Sequence, residues 1–90
     1  MLKLPAIASV AGRRTPVTIR DVSQSGLGLD GIGGLAEGAE VSVRLPGDRE
    51  LKGLVAWSEA NRTGLRLNGR LGPEDALLRG SWTGLTQLDA

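Results

Sequence analysis

Ninety residues make one domain with a modest core, and 11 Lys+Arg against 10 Asp+Glu leave the molecule without a strong overall field. His and Cys are both absent, which excludes Ser-His-Asp and Cys-His nucleophilic systems, thiolate chemistry, disulfide staples and zinc sites built on those ligands. No apolar run approaches the roughly 20 residues of a membrane-spanning helix, and a small domain without disulfides suits the cytoplasm.

The opening Met1 to Ala11 carries one cation and a small-residue end, faintly like a signal peptide, but Pro5 interrupts a short apolar stretch and the run predicts a first strand. After the turn chemistry of Ala11-Gly12, the run Thr15 to Arg20 alternates through Val17 and Ile19 and reads as a second strand. Residues 1–20 hold Lys3, Arg13, Arg14 and Arg20 with no carboxylate, so this part of the chain presents a basic edge suited to an acidic protein partner. The cations overall are mostly arginine, whose guanidinium forks fit phosphates and guanine edges.

At the end of that run comes Asp21-Val22-Ser23-Gln24-Ser25-Gly26. A carboxylate, a hydroxyl and a glycine at one strand junction let side chains and free backbone N–H groups converge on a polar ligand, and Gly26 permits positive φ or close approach. Asp and Ser also cap turns on their own account, so the pair taken alone serves structure as readily as binding. The residues form a binding corner rather than a reactive centre.

Leu27 and Leu29 continue the alternation, followed by Val41, Val43 and Leu45, then Val55 and Trp57, then Leu65 and Leu67, each set turning one face of a short strand inward. The breaks between them are Gly31 to Gly34, Pro46-Gly47-Asp48, Asn61 to Gly64 and Asn68-Gly69. Such spacing indicates a small antiparallel barrel or sandwich. Gly26-Leu27-Gly28-Leu29-Asp30-Gly31 matches G-x-G-x-x-G literally, but its glycines alternate with leucines as a strand does, so it is no dinucleotide fingerprint. Gly72 to Gly80 predicts a two-turn helix with Pro73 in its first turn, Glu74 and Asp75 at its positive end and Leu77-Leu78 against one mouth of the barrel. Beyond it, Trp82, Leu85 and Leu88 have helical spacing.

The Asp-x-Ser-x-x-Gly element, the Gly38-Ala39-Glu40-Val41 step, the Leu51 to Trp57 strand and Gly64-Leu65-Arg66-Leu67 together resemble the PilZ domain family through to about residue 71, with Leu67 where the family commonly has Phe. The resemblance implies an all-β fold: one domain over residues 1–90, a six-stranded antiparallel barrel over about 3–71 and a short C-terminal helical tail over about 73–90. It implies a non-enzymatic receptor-type signalling module without a cofactor, whose ligand is cyclic di-GMP. Asp21 and Ser23 would bond guanine or phosphate atoms, and Gly26 would keep the surface open.

The family's binding members also carry an R-x-x-x-R element ahead of the first strand, and no arginine pair in residues 1–30 has that spacing. Any binding of cyclic di-GMP would then run through Arg13, Arg14 and Arg20, the cations nearest the motif in the chain, together with Asp21, Ser23 and Gly26. Losing two charged clamps, each making hydrogen bonds of about 1.5–3 kcal/mol, weakens a dianionic ligand by about a thousandfold, so weak or absent binding is expected. Members lacking the element are associated with protein–protein contacts in motility and type IV pilus systems, which makes a protein-binding adaptor the alternative. Near-neutral charge and two tryptophans as the only aromatics argue against a nucleic-acid polymer.

Overall fold

Short strands with one apolar face leave an unpaired edge unless the sheet closes, and here it closes. The computed structural model describes residues 3–79. Its elements are β1 (Leu4–Val10), β2 (Arg13–Val22), β3 (Gly26–Asp30), β4 (Glu40–Arg44), β5 (Glu50–Glu59), β6 (Arg62–Leu67) and a single helical turn, α1 (Ala76–Arg79). The strands form a closed antiparallel barrel in the order β1-β2-β3-β6-β5-β4, so two three-stranded meanders meet along β3/β6 and β1/β4.

The alternating residues fill the interior. Val17 and Ile19, Leu27 and Leu29, Val41, Val43 and Leu45, Val55, and Leu65 and Leu67 are all buried, joined from β1 by Leu4, Ala6 and Ala8. Thr63 is the one buried polar residue among those described, and it is fully paired: its hydroxyl donates to the Ile32 carbonyl at 2.9 Å and meets the Ser58 hydroxyl at 2.9 Å.

The two mouths are closed differently. The segment from Gly31 to Ala39, between β3 and β4, runs past one mouth, with Gly31 N–H donating to the Asn61 carbonyl and Leu35 N–H to the Ser58 hydroxyl. Gly33 rides so close to the Ala60 carbonyl that no Cβ could fit there. At the other mouth Leu71 and Leu77 enter the core and Leu78 packs against it, with Leu71 N–H bonded to the Gln24 carbonyl at 2.7 Å.

Three expectations need correction. The helix begins at Ala76, not at Pro73: Gly72 to Asp75 is a turn closed by Asp75 N–H on the Gly72 carbonyl, where the fixed φ of proline suits the second position. Asp75 then caps α1, its Oδ1 accepting from Leu77 N–H at 3.0 Å, and its carboxylate takes both terminal nitrogens of Arg49 from the β4–β5 turn. The β5–β6 turn is Ala60-Asn61 alone, with Ala60 at φ 45°, so Thr63 and Gly64 lie within β6 rather than in a loop. Trp57 does not face inward. The helical spacing of Trp82, Leu85 and Leu88 lies outside the described residues.

Candidate functional site

Strand alternation alone would point Asp21 and Trp57 into the core, because Val17, Ile19 and Val55 point there. Two β-bulges turn them out. In β2 the pairing steps from Ile19↔Leu29 to Asp21↔Gly28, leaving Arg20 as the extra residue. In β5 it steps from Val55↔Leu65 to Trp57↔Gly64, leaving Ala56 extra. A bulge shifts the phase of a strand by one residue and re-aims the next side chain. Asp21 is accordingly exposed, and Trp57 is 48% exposed.

The registers set these residues in one row across four strands: Asp21 on β2, Gly28 on β3, Gly64 on β6 and Trp57 on β5. Gly28 and Gly64 project no side chain, and the outer residues lean over them. A Cβ on Gly28 would stand 2.9 Å from the Asp21 carboxylate, and one on Gly64 would collide with the Trp57 indole at Nε1. The result is an open depression of about 290 Å³ with backbone as its floor, lined also by Ser23, Gly26 and Ala56. A flat ring can lie there against the indole, with the carboxylate at its far edge.

The Asp-x-Ser-x-x-Gly element bridges β2 and β3 at this depression. Ser23 N–H donates to the Gly26 carbonyl at 2.9 Å to close the turn, and the Ser23 hydroxyl accepts from Ser25 N–H only at a long 3.4 Å, so this exposed oxygen stays available. Gly26 serves close approach rather than positive φ: a Cβ there would stand 2.8 Å from the Leu65 carbonyl oxygen. Asp21, Ser23 and Gly26 therefore share one surface.

The three arginines nearest in the chain do not join them equally. Arg13 and Arg14 begin β2 and are exposed, with Arg13 roughly 25 Å up the strand from Asp21. Arg13 lines a different depression with Val10, Ile32 and Leu35. Arg20, at the bulge, lies 3.7 Å by Nε from Asp21 Oδ2 and 3.6 Å by Nη1 from Asp30 Oδ1. Asp30 Oδ1 also stands 3.3 Å from Arg62 Nε; it is shielded from solvent without an aligned hydrogen bond, and these two guanidinium groups balance its charge.

Sequence reasoning missed Trp57, Gly28 and Gly64 as parts of the surface. The glycines carried the one usable signal, since a glycine inside a strand marks a close approach of another group. The bulge that exposes Trp57 leaves no such mark.

A protein-family model described as PilZ domain matches residues 2–80. No curated protein and no solved structure gives a match.

Proposed function

The chain belongs to the PilZ domain family, and from that premise we propose that it is a non-enzymatic signalling module of the cyclic di-GMP receptor type, acting in the cytoplasm, with the row from Asp21 to Trp57 as its ligand face. The row itself carries this reading: a half-exposed indole lying over Gly64 and an exposed carboxylate beside Gly28 stand at the two ends of one cross-strand row. A base stacked on the indole gains about 1–3 kcal/mol. Guanine further offers ring and exocyclic N–H donors to the Asp21 carboxylate, and the Ser23 hydroxyl and Gly26 border the phosphates. Arg13 and Arg14 lie too far along β2 to reach this face, and Arg20 is engaged by Asp30, so these residues hold the dinucleotide weakly, at about 0.1–1 mM.

A protein-binding adaptor is the second reading, and the far end of β2 favours it. There exposed Arg13 borders a mixed depression with Val10, Thr15, Ile32 and Leu35, a combination suited to an acidic segment with apolar side chains, and exposed Arg14 adds positive charge to the same end of the strand.

Titrating cyclic di-GMP while following amide and indole chemical shifts tests the leading reading. Shifts at Asp21 to Gly28, Gly64 and the Trp57 indole N–H are the expected result. A spectrum unchanged at millimolar ligand, or shifts confined to other strands, would overturn it.

A further inference from the structure

We propose that Arg66, with Arg62, supplies the phosphate-binding cations of this face. The inference rests on the reading above, that a guanine dinucleotide lies on the row. Arg62 and Arg66 are four residues apart on β6, so both stand on the outer side of the barrel, and both are exposed. Gly64 lies midway between them, and Trp57 is paired with Gly64. Each arginine is therefore a diagonal neighbour of the indole, at a separation of roughly 7–8 Å that long side chains span. A base stacked on Trp57 has a guanidinium on either side of it along β6, about 13 Å apart at the Cα atoms and able to converge above the glycine floor.

The two cations differ in what already holds them. Arg62 shares Asp30 with Arg20 and stands opposite Glu59 across β5. Arg66 stands opposite Gly26 and the exposed Leu54, and makes no ion pair or side-chain hydrogen bond among the described residues. It is thus the cation at this face free to take a bidentate phosphate, and it adjoins Gly26 of the Asp-x-Ser-x-x-Gly element. Of the two guanidinium groups on Asp30, that of Arg20 is 26% exposed and that of Arg62 58%, so Arg62 is the one a phosphate can draw outward while Arg20 keeps the carboxylate paired.

Titrations of cyclic di-GMP into the wild type, Arg66→Gln, Arg62→Gln/Arg66→Gln and Trp57→Ala test this, with thermal melts confirming that each variant folds. Arg66→Gln should weaken binding at least about tenfold, and the double variant should weaken it further. Unchanged affinity in Arg66→Gln beside a loss in Trp57→Ala overturns this inference and leaves the ligand face standing. Unchanged affinity in both, or no binding by the wild type at millimolar ligand, overturns the ligand face as well.

Discussion

Asp21 and Trp57, 36 residues apart in sequence, close the two ends of a single cross-strand row whose middle is Gly28 and Gly64. Each reaches the surface through its own bulge, at Arg20 and at Ala56, and each lies over the glycine beside it. The depression thus depends on what the two glycines lack as much as on what the walls provide.

Adding side chains to the floor should separate the two halves of the site. Gly64→Ala drives its Cβ into a rigid indole, whereas Gly28→Ala meets the mobile end of the Asp21 side chain. In a Trp82→Phe background, where Trp57 is the only fluorophore, Gly64→Ala should change the emission maximum and weaken cyclic di-GMP at least about tenfold, the value of one lost stack. Gly28→Ala should leave the emission unchanged.

Trp57→Ala measures how far the ring is from being core. A buried tryptophan lost to alanine costs about 3–5 kcal/mol, but a ring half in water over a glycine should cost less than about 2 kcal/mol. Urea denaturation reads the difference, and a loss above about 3 kcal/mol would show the indole to be a structural element.

Gly33 and Gly69 form a matched pair for backbone approach. A Cβ on Gly33 runs into the Ala60 carbonyl, which cannot rotate away, while Gly69 faces open space. Gly33→Ala should destabilise by about 1–3 kcal/mol or more and Gly69→Ala by a few tenths, compared by urea midpoints at equal slope.

The motif and the basic edge should respond independently. Asp21→Ala and Ser23→Ala are expected to weaken cyclic di-GMP several-fold each, since on the proposed reading each would remove a direct polar contact. Arg13→Glu/Arg14→Glu should leave that affinity within about twofold, because both residues lie beyond a Debye length of roughly 10 Å from the face. The same double reversal should slow capture of an acidic protein partner and flatten its salt dependence, which surface plasmon resonance at low and high salt would read.

Acid should release the contact between Arg49 and Asp75. The Arg49 hydrogen bonds, with help from Leu77 N–H, hold the Asp75 carboxyl below its ordinary value of 3.8, against the opposing pull of burial. The folded-state value is the lower one, so its contribution to stability is full above about pH 4 and is lost as pH falls through the depressed value. Asp75→Asn keeps the cap and removes the charge, so its deficit should be about 1 kcal/mol at pH 7 and shrink as pH falls through the depressed Asp75 value in chemical-denaturation curves.

The core was legible because Val17, Ile19, Leu27, Leu29, Val41, Val43, Leu65 and Leu67 keep strict period-two alternation with one face buried. Closure of the sheet was not, since alternation serves a sandwich as well as a barrel, and the six-stranded barrel came from family resemblance. Trp57 was misread because the bulge at Ala56 preserves the apolar spacing from Val55 while reversing its direction. Arg62 and Arg66 escaped notice for a different reason: they are near the motif only through the β3–β6 register, and pairing between strands 36 residues apart has no local signature. The Asp21 motif was found because its chemistry is local.

The β3/β6 pairing is a seam between two meanders that are otherwise continuous in sequence, and the face from Asp21 to Trp57 lies astride it. A molecule seated there touches β2 and β3 on one side and β6 and β5 on the other, acting as a clasp across the join. Its binding energy is therefore coupled to barrel closure, and the amides exchanged between Gly26 and Asp30 and between Arg62 and Arg66 would be the ones it shields from solvent hydrogen exchange. A ligand on the proposed face would be felt first as tightening along that one ladder.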